Sequence, residues 1–449
     1  MEIKKVIHLY NRFGFGVSAT DIKKLTNISF QKKLDKESVD LFKLDYSDLE
    51  GIKRKGLSKD ERRALRLASK KKLTELNVLW IKQMISSENI VQEKMNLFWH
   101  HHFSCIIKTP VYAQQFTNII RQNATGDFKK MVLDISKSAA MIDFLNTKRN
   151  KKEHPNEDFA RELCEIYTLG RDKEYTEKDI QEIARCFSGW SHQSSGAFVI
   201  QKKQHDYGNK TIFGETSNFN GEDVIQLILQ KRACSHFICE NVYKYFVNPV
   251  VNQKHVDELA NVFYINEYNI KPLIIHIANS EWFYADINIL AKIKSPIEFL
   301  VGLARQFKIE STKSESWVMV QRMFNQVLFQ PPNVKGWKVD KEWIDSNSLP
   351  LRLRFPSIIL SNAKLNLEPK PDYDENPNQS DSQNKFNAKL GFTYSWTHFF
   401  EQNEGIDFKE LFFNSKVSIQ VDKFFQNRKF DSQQEEVIQL ISLPEYQLI

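Results

Sequence analysis

The densest chemistry in the chain lies between His154 and Trp190, where Pro155-Asn156-Glu157-Asp158 opens one amphipathic segment and Thr176-x-x-Asp179 opens a second. At about 100° per residue, Phe159, Ala160, Leu163, Cys164, Ile166 and Tyr167 share one side of the first helix, and Asp158, Arg161, Glu162 and Glu165 share the other. Crowded carboxylates raise one another's pKa, so Asp158, Glu162 and Glu165, if they line a cleft, are candidates for an acid, a base or hard metal ligands. Arg161 is then an anion clamp or a partner for the acids. The same clean separation also suits a water-facing stripe in which Arg161 pairs with Glu157 and Glu165 at i±4. Pattern alone leaves both readings open.

Imidazoles flank this pair. Upstream, Met95 to Phe103 has the look of an apolar helix end carrying His100, His101 and His102. If it is helical throughout, His102 shares the side of Met95 and Trp99, and His100 that of Glu93 and Asn96, so the three rings point three ways. His100 and His102, with Glu162, are candidate ligands of one divalent metal, and mixed imidazole and carboxylate ligation suits zinc, manganese or iron. Buried, hydrogen-bonded histidines are the plainer alternative. Downstream, Asp206 is placed to orient His205, as carboxylates behind a working imidazole do, unless the pair simply builds a turn with Gly208.

The elements that must position these groups are helices. Ile180, Ile183, Ala184 and Phe187 recur at i, i+3, i+4, i+7, which predicts a core helix from Thr176 that stops at Gly189-Trp190. Arg185 lies off its apolar stripe and could face the acidic helix. Arg12-Phe13-Gly14-Phe15-Gly16 is a glycine-broken turn into a helix that starts at Ser18-x-x-Asp21. Residues 197–219 carry the β-branched and turn signals of a short hairpin or structured loop. Gln330-Pro331-Pro332-Asn333-Val334-Lys335-Gly336-Trp337 either walls a pocket or makes a corner with Trp337 capping the core. The expectation is a mainly α protein: one large multi-helix domain over 1–363 with a short β-hairpin or structured-loop insertion, a polar linker over 364–385, and a helical segment over 386–449 that docks back.

Composition bounds the rest. The 449 residues are 41% hydrophobic and 27% charged, enough for a substantial core. Apolar runs stop well short of the roughly 20 residues of a membrane span, and the start of the chain lacks the order of a secretory signal, so a cytoplasmic location is expected. Five cysteines without a CxxC pair argue against a disulfide framework and a sulfur-ligated zinc site. A net charge of +7 permits an acidic partner without requiring one. The basic stretch 53–72, with Arg62, Arg63, Arg66, Lys70, Lys71 and Lys72, reads as a solvated helix face or, less economically, a phosphate or nucleic-acid surface; no aromatic interrupts it to stack a base.

Several segments in order carry a family resemblance: His8 to Gly16, Phe98 to Phe103, Pro155 to Leu163 continuing to Thr168-Leu169-Gly170, Tyr175 to Asp179, Ser188-Gly189-Trp190, His205-Asp206, Phe219 to Asp223, Lys294-Ser295-Pro296 and Pro331 to Trp337. With these the chain resembles the bacterial family called domain of unknown function 1800. The resemblance implies a large helical protein without an established reaction and a sulfatase-like companion protein. Asp158 departs from the family's usual Asn, which adds a negative charge favouring a cation. The expected function is a hydrolase or metal-dependent enzyme with a polar site built from His100, Glu157, Arg161, Glu162, Glu165 and His205, with Asn156, Asp158, Arg185, Asp206, Trp190 and Trp337 around it. A non-catalytic helical scaffold is the rival.

Overall fold

Helix starts in this protein are set by side chains that accept the first unpaired backbone N–H groups. Ser18, Ser58, Thr176, Asn220 and Ser295 each close a reciprocal capping box with Asp21, Glu61, Asp179, Asp223 and Glu298, contacts worth about 1 kcal/mol apiece. The structure, a computed structural model, describes residues 2–25, 27–34, 39–49, 56–360, 390–414 and 416–449. The expected linker 364–385 lies outside them, as do residues 53–55 of the basic stretch.

The architecture is mainly α, with small antiparallel strand pairs inserted. Trp190–His192 pairs with Phe198–Ile200, and Lys210–Ile212 with Glu215–Ser217, so the expected hairpin region 197–219 holds the second ribbon and one strand of the first, whose partner strand starts earlier, at Trp190. The helix Lys59–Ser86 packs on Pro110–Asn123, Pro296–Gln306 and Glu315–Met323. Its first half stands in water, with Arg62, Arg63, Arg66 and Lys71 exposed. The Arg232–Phe246 helix packs on Gln253–Ile265, which packs on Ile270–Asn279.

A contiguous apolar core runs from Val6 to Tyr446 and includes Trp80, Trp99, Trp190 and Trp317. Residues 390–449 contribute to it: Phe399 stacks on Phe307 at 4.5 Å, and the chain near Leu448 bridges to Ile293. All five cysteines are free and buried. Among the described residues no helix is long and apolar enough to cross a membrane.

One local departure matters for the site. The helix after Pro155 is α only over Asp158–Glu162 and continues as a π-helix over Leu163–Thr168. The Thr168 hydroxyl donates to the Leu163 carbonyl at 2.5 Å, and the Leu169 and Gly170 amides both donate to Cys164, which holds the wider turn. Phe159, Ala160, Leu163, Cys164 and Tyr167 are buried as the pattern predicts, whereas Ile166 is only half-buried.

Candidate functional site

The predicted polar residues resolve into separate neighbourhoods. Arg161 is gripped by three carboxylates: bidentate to Glu177 at 2.7 and 2.8 Å, to Glu157 at 2.9 Å and to Glu165 at 3.5 Å. Glu177 was not among the expected partners; it comes from the Thr176-capped helix, which packs on the acidic one. The network faces water, with Arg161 about one-third exposed and Glu177 71% exposed. Hydrogen bonds to Glu177 hold the guanidinium pKa above its usual value. Asn156 accepts from the Asp158 amide and braces the turn against Asn150, while exposed Asp158 accepts from Asn146.

Arg185 forms a second network, 2.8 Å from Asp206 and 2.8 Å from Glu182. Burial alone would raise the Asp206 carboxyl, but Arg185 and the Gly208 amide hold it below the ordinary range. Asp206 is therefore engaged by an arginine and does not orient His205. That imidazole is buried and its Nδ1–H donates 2.7 Å to the Ser188 carbonyl. Trp190, expected as a binding residue, is a core side chain set edge-on between Phe187 and Phe198.

The histidine run points three ways. His100 Nε2 accepts from the Phe329 amide at 3.1 Å, which places its proton on Nδ1. His102 Nε2–H donates to the Tyr167 carbonyl at 3.0 Å. Burial pushes these rings down to about 3 and about 4, so both are neutral. His100 and His102 thus serve backbone groups on opposite sides of their helix, and the structure does not gather them with Glu162 around a cation. Among the described residues no three His, Cys, Asp or Glu side chains form such a group. Glu162 is a half-buried carboxyl whose pKa is raised by burial and then by Glu165. No hydrogen bond reaches it among the described residues.

A different centre appears where the sequence reading placed none. Lys94, Lys292, Lys294, Arg12 and Arg352 converge on Glu298. Glu298 closes the capping box of the Pro296–Gln306 helix, its Oε2 accepting the Ser295 amide at 2.6 Å. Its Oε1 meets Lys292 Nζ at 2.9 Å and also pairs with Lys94 Nζ. Lys94 Nζ in turn donates 3.0 Å to the Gly14 carbonyl. Gly14 must be glycine for this approach, because a Cβ there would lie 2.6 Å from the Tyr10 carbonyl and from Ile90 Cδ1. Arg12, one residue before the turn, is 1% exposed and donates through Nη2 to the Asn288 carbonyl at 2.7 Å, leaving Nε and Nη1 without a partner among the described residues.

The charges of this centre do not balance. Its five basic side chains face Glu298 and, acting on Arg12 and Lys292, Asp340. Burial would raise the Glu298 carboxyl, yet Lys292 and Lys94 hold it far below the carboxylate range. Burial pushes Lys94 down to about 8 and Lys294 down to about 7; beside Lys94 the like charge of Lys292 adds to this, and beside Lys294 that of Arg352. A second buried ion pair, Arg121 with Glu93 at 2.6 and 2.9 Å, is matched one to one. A narrow cavity of about 30 Å³, partly open to solvent, reaches the centre and is lined by Asn11, Gly14, Lys94, Lys294, Glu298 and Gln306. Tyr446 and Phe412 of the C-terminal segment also line it.

His101 faces this centre. Burial and then the charge of Lys292 depress it to about 4, and its ring stacks on Trp337, centroids 6.0 Å apart. Trp337 is 5% exposed, its indole N–H unpartnered among the described residues and its ring 5.3 Å from that of His100. The preceding Gly336, at φ +90°, lets the loop press against Ser104 and the His101 carbonyl. The proline-rich corner therefore covers the histidine run.

A helical protein whose scattered motif residues meet at a buried ionic centre is the class this geometry defines. The family described as protein of unknown function (DUF1800) matches residues 8–448, and the chain belongs to it. No curated protein and no solved structure matches the chain.

Proposed function

We propose that the protein binds a small anionic molecule in the buried cationic centre. One observation carries the reading: five basic side chains share two carboxylates there, and Arg12 keeps two buried donor nitrogens unpartnered. An uncompensated buried cation costs several kcal/mol. A lysine escapes that cost by releasing its proton; arginine does not. An incoming phosphate, sulfate or carboxylate supplies both the missing charge and the missing acceptors. The pKa values of Lys94 and Lys294, near 8 and 7, let the centre take up protons as the anion arrives.

The test is calorimetric titration of the full chain with inorganic phosphate, sulfate and succinate at pH 7. Saturable one-to-one binding with proton uptake is expected for at least one of them. Lys94→Met, which leaves Glu298 paired with Lys292, should weaken it by about tenfold or more, since about 1.4 kcal/mol is one decade. Absence of saturable binding by all three anions overturns the reading.

Hydrolysis is the second reading, and the raised, unbonded Glu162 carboxyl favours it as an acid or base. A zinc, manganese or iron ion would have to be held there without His100 or His102. Loss of p-nitrophenyl ester or phosphate hydrolysis in Glu162→Gln, with the binding of phosphate intact, would support this reading; equal rates in both proteins would remove it.

A further inference from the structure

Within the anion site proposed above, and resting on that reading, the three lysines are not equivalent. Lys94 and Lys292 are each paired with Glu298. Lys294 has no carboxylate partner among the described residues: its Nζ donates 2.6 Å to the Tyr446 carbonyl and sits 3.8 Å over the Tyr446 ring. It lines the cavity beside Lys94, Asn11 and Gln306. We propose that Lys294 is a covalent attachment site for a small anionic carbonyl compound, a 2-oxo acid or an aldehyde acid, which it captures as an imine.

The chemistry follows from the surroundings. An amine attacks a carbonyl only as the free base, and both removal from water and neighbouring positive charge favour that form. Burial first, then Arg352 and Lys94, bring Lys294 to about 7. At pH 7.5 most of it is neutral, against on the order of one part in a thousand for a surface lysine near pKa 10.4. The Nζ lone pair forms the C–N bond as the carbonyl π pair moves to oxygen. Two protons pass from nitrogen to that oxygen, the C–O bond breaks, and one water leaves; nothing is oxidised or reduced. The cations that remain charged hold the substrate's carboxylate. The cavity is narrow, about 30 Å³, which restricts the compound to a few heavy atoms.

Reductive trapping tests this. The full chain is incubated at pH 7.5 with millimolar glyoxylate or pyruvate and sodium cyanoborohydride, then digested and mapped by mass spectrometry. Lys294 should be alkylated at least about tenfold faster than the exposed lysines, inorganic phosphate should slow it, and Lys294→Arg should lose this adduct while the surface adducts persist. The rate at Lys294 in the wild-type chain should rise to a plateau through pH 7 to 8, a readout that does not depend on the variant folding. Labelling of Lys294 no faster than that of exposed lysines overturns the proposal. If phosphate binds in calorimetry but Lys294 is not trapped, the imine fails and the anion site stands; if Lys294 is trapped and no anion binds or competes, the anion site fails instead.

Discussion

The Arg161 network and the Glu298 centre are built from the same groups in opposite solvents. Around Arg161, three carboxylates surround one cation at the protein surface, and water screens whatever imbalance remains. Around Glu298, five basic side chains share two carboxylates, and the protein interior does not screen those that stay charged. The lesson is that charge density along the sequence does not locate the working charge. Surface crowding is cheap and common, whereas a buried excess of one sign must be met by proton release or by a bound counter-ion.

That contrast can be broken or sharpened by measurement, beginning with the largest effect. His100, His101 and His102 are depressed to between about 3 and 4. The unfolded chain, near 6.5, takes up protons first, so their contribution to stability is present above the unfolded value and is lost as pH falls toward 4. Three rings titrating together would give up to about 4 kcal/mol per pH unit, read by urea unfolding between pH 6.5 and 4.5. A flat profile would show that the run is not buried as described.

Glu298→Gln comes next. Removing the carboxylate that pairs Lys94 and Lys292 should cost about 3–5 kcal/mol at pH 7, measured by chemical denaturation. A loss below about 1 kcal/mol would place this pair in the same class as the surface networks. Gly336→Ala, forced to φ +90° with its new Cβ 2.6 Å from Ser104 Oγ, should cost about 1–2 kcal/mol and loosen the cover over His101, seen as a fluorescence change at Trp337. Smallest is Arg161→Ala, expected to cost under about 1 kcal/mol and to approach zero in 1 M salt. A larger, salt-insensitive loss would mean that Arg161 is held in a way the surface network does not explain.

Much of the fold was legible because local chemistry wrote it. The Ser18 and Thr176 caps, the turn at Gly189 with φ +75°, and the apolar stripe from Ile180 to Phe187 follow from short-range sequence signals. The π-turn was not legible, since Leu163 and Thr168 adopt it through bonds that helical periodicity does not encode. The ionic centre was hidden for another reason. Lys94, Lys292 and Lys294 look like ordinary surface lysines, and Glu298 looks like a solvent-facing capping residue; only packing makes them neighbours. One signal was available in the motifs themselves: Arg12 and Lys294 lie inside the segments that carry the family resemblance, and acquire chemical meaning once the chain folds. His205 and Asp206, adjacent in sequence, instead part company, one to the Ser188 carbonyl and the other to Arg185.

The most direct test of the buried centre is to see an anion in it. Crystals grown with selenate and measured at the selenium edge should show one internal anomalous peak within hydrogen-bond reach of Arg12, Lys94 or Lys294. Selenate confined to exposed groups such as Arg62 and Arg63, with the cavity beside Lys94 empty of it, would contradict the account.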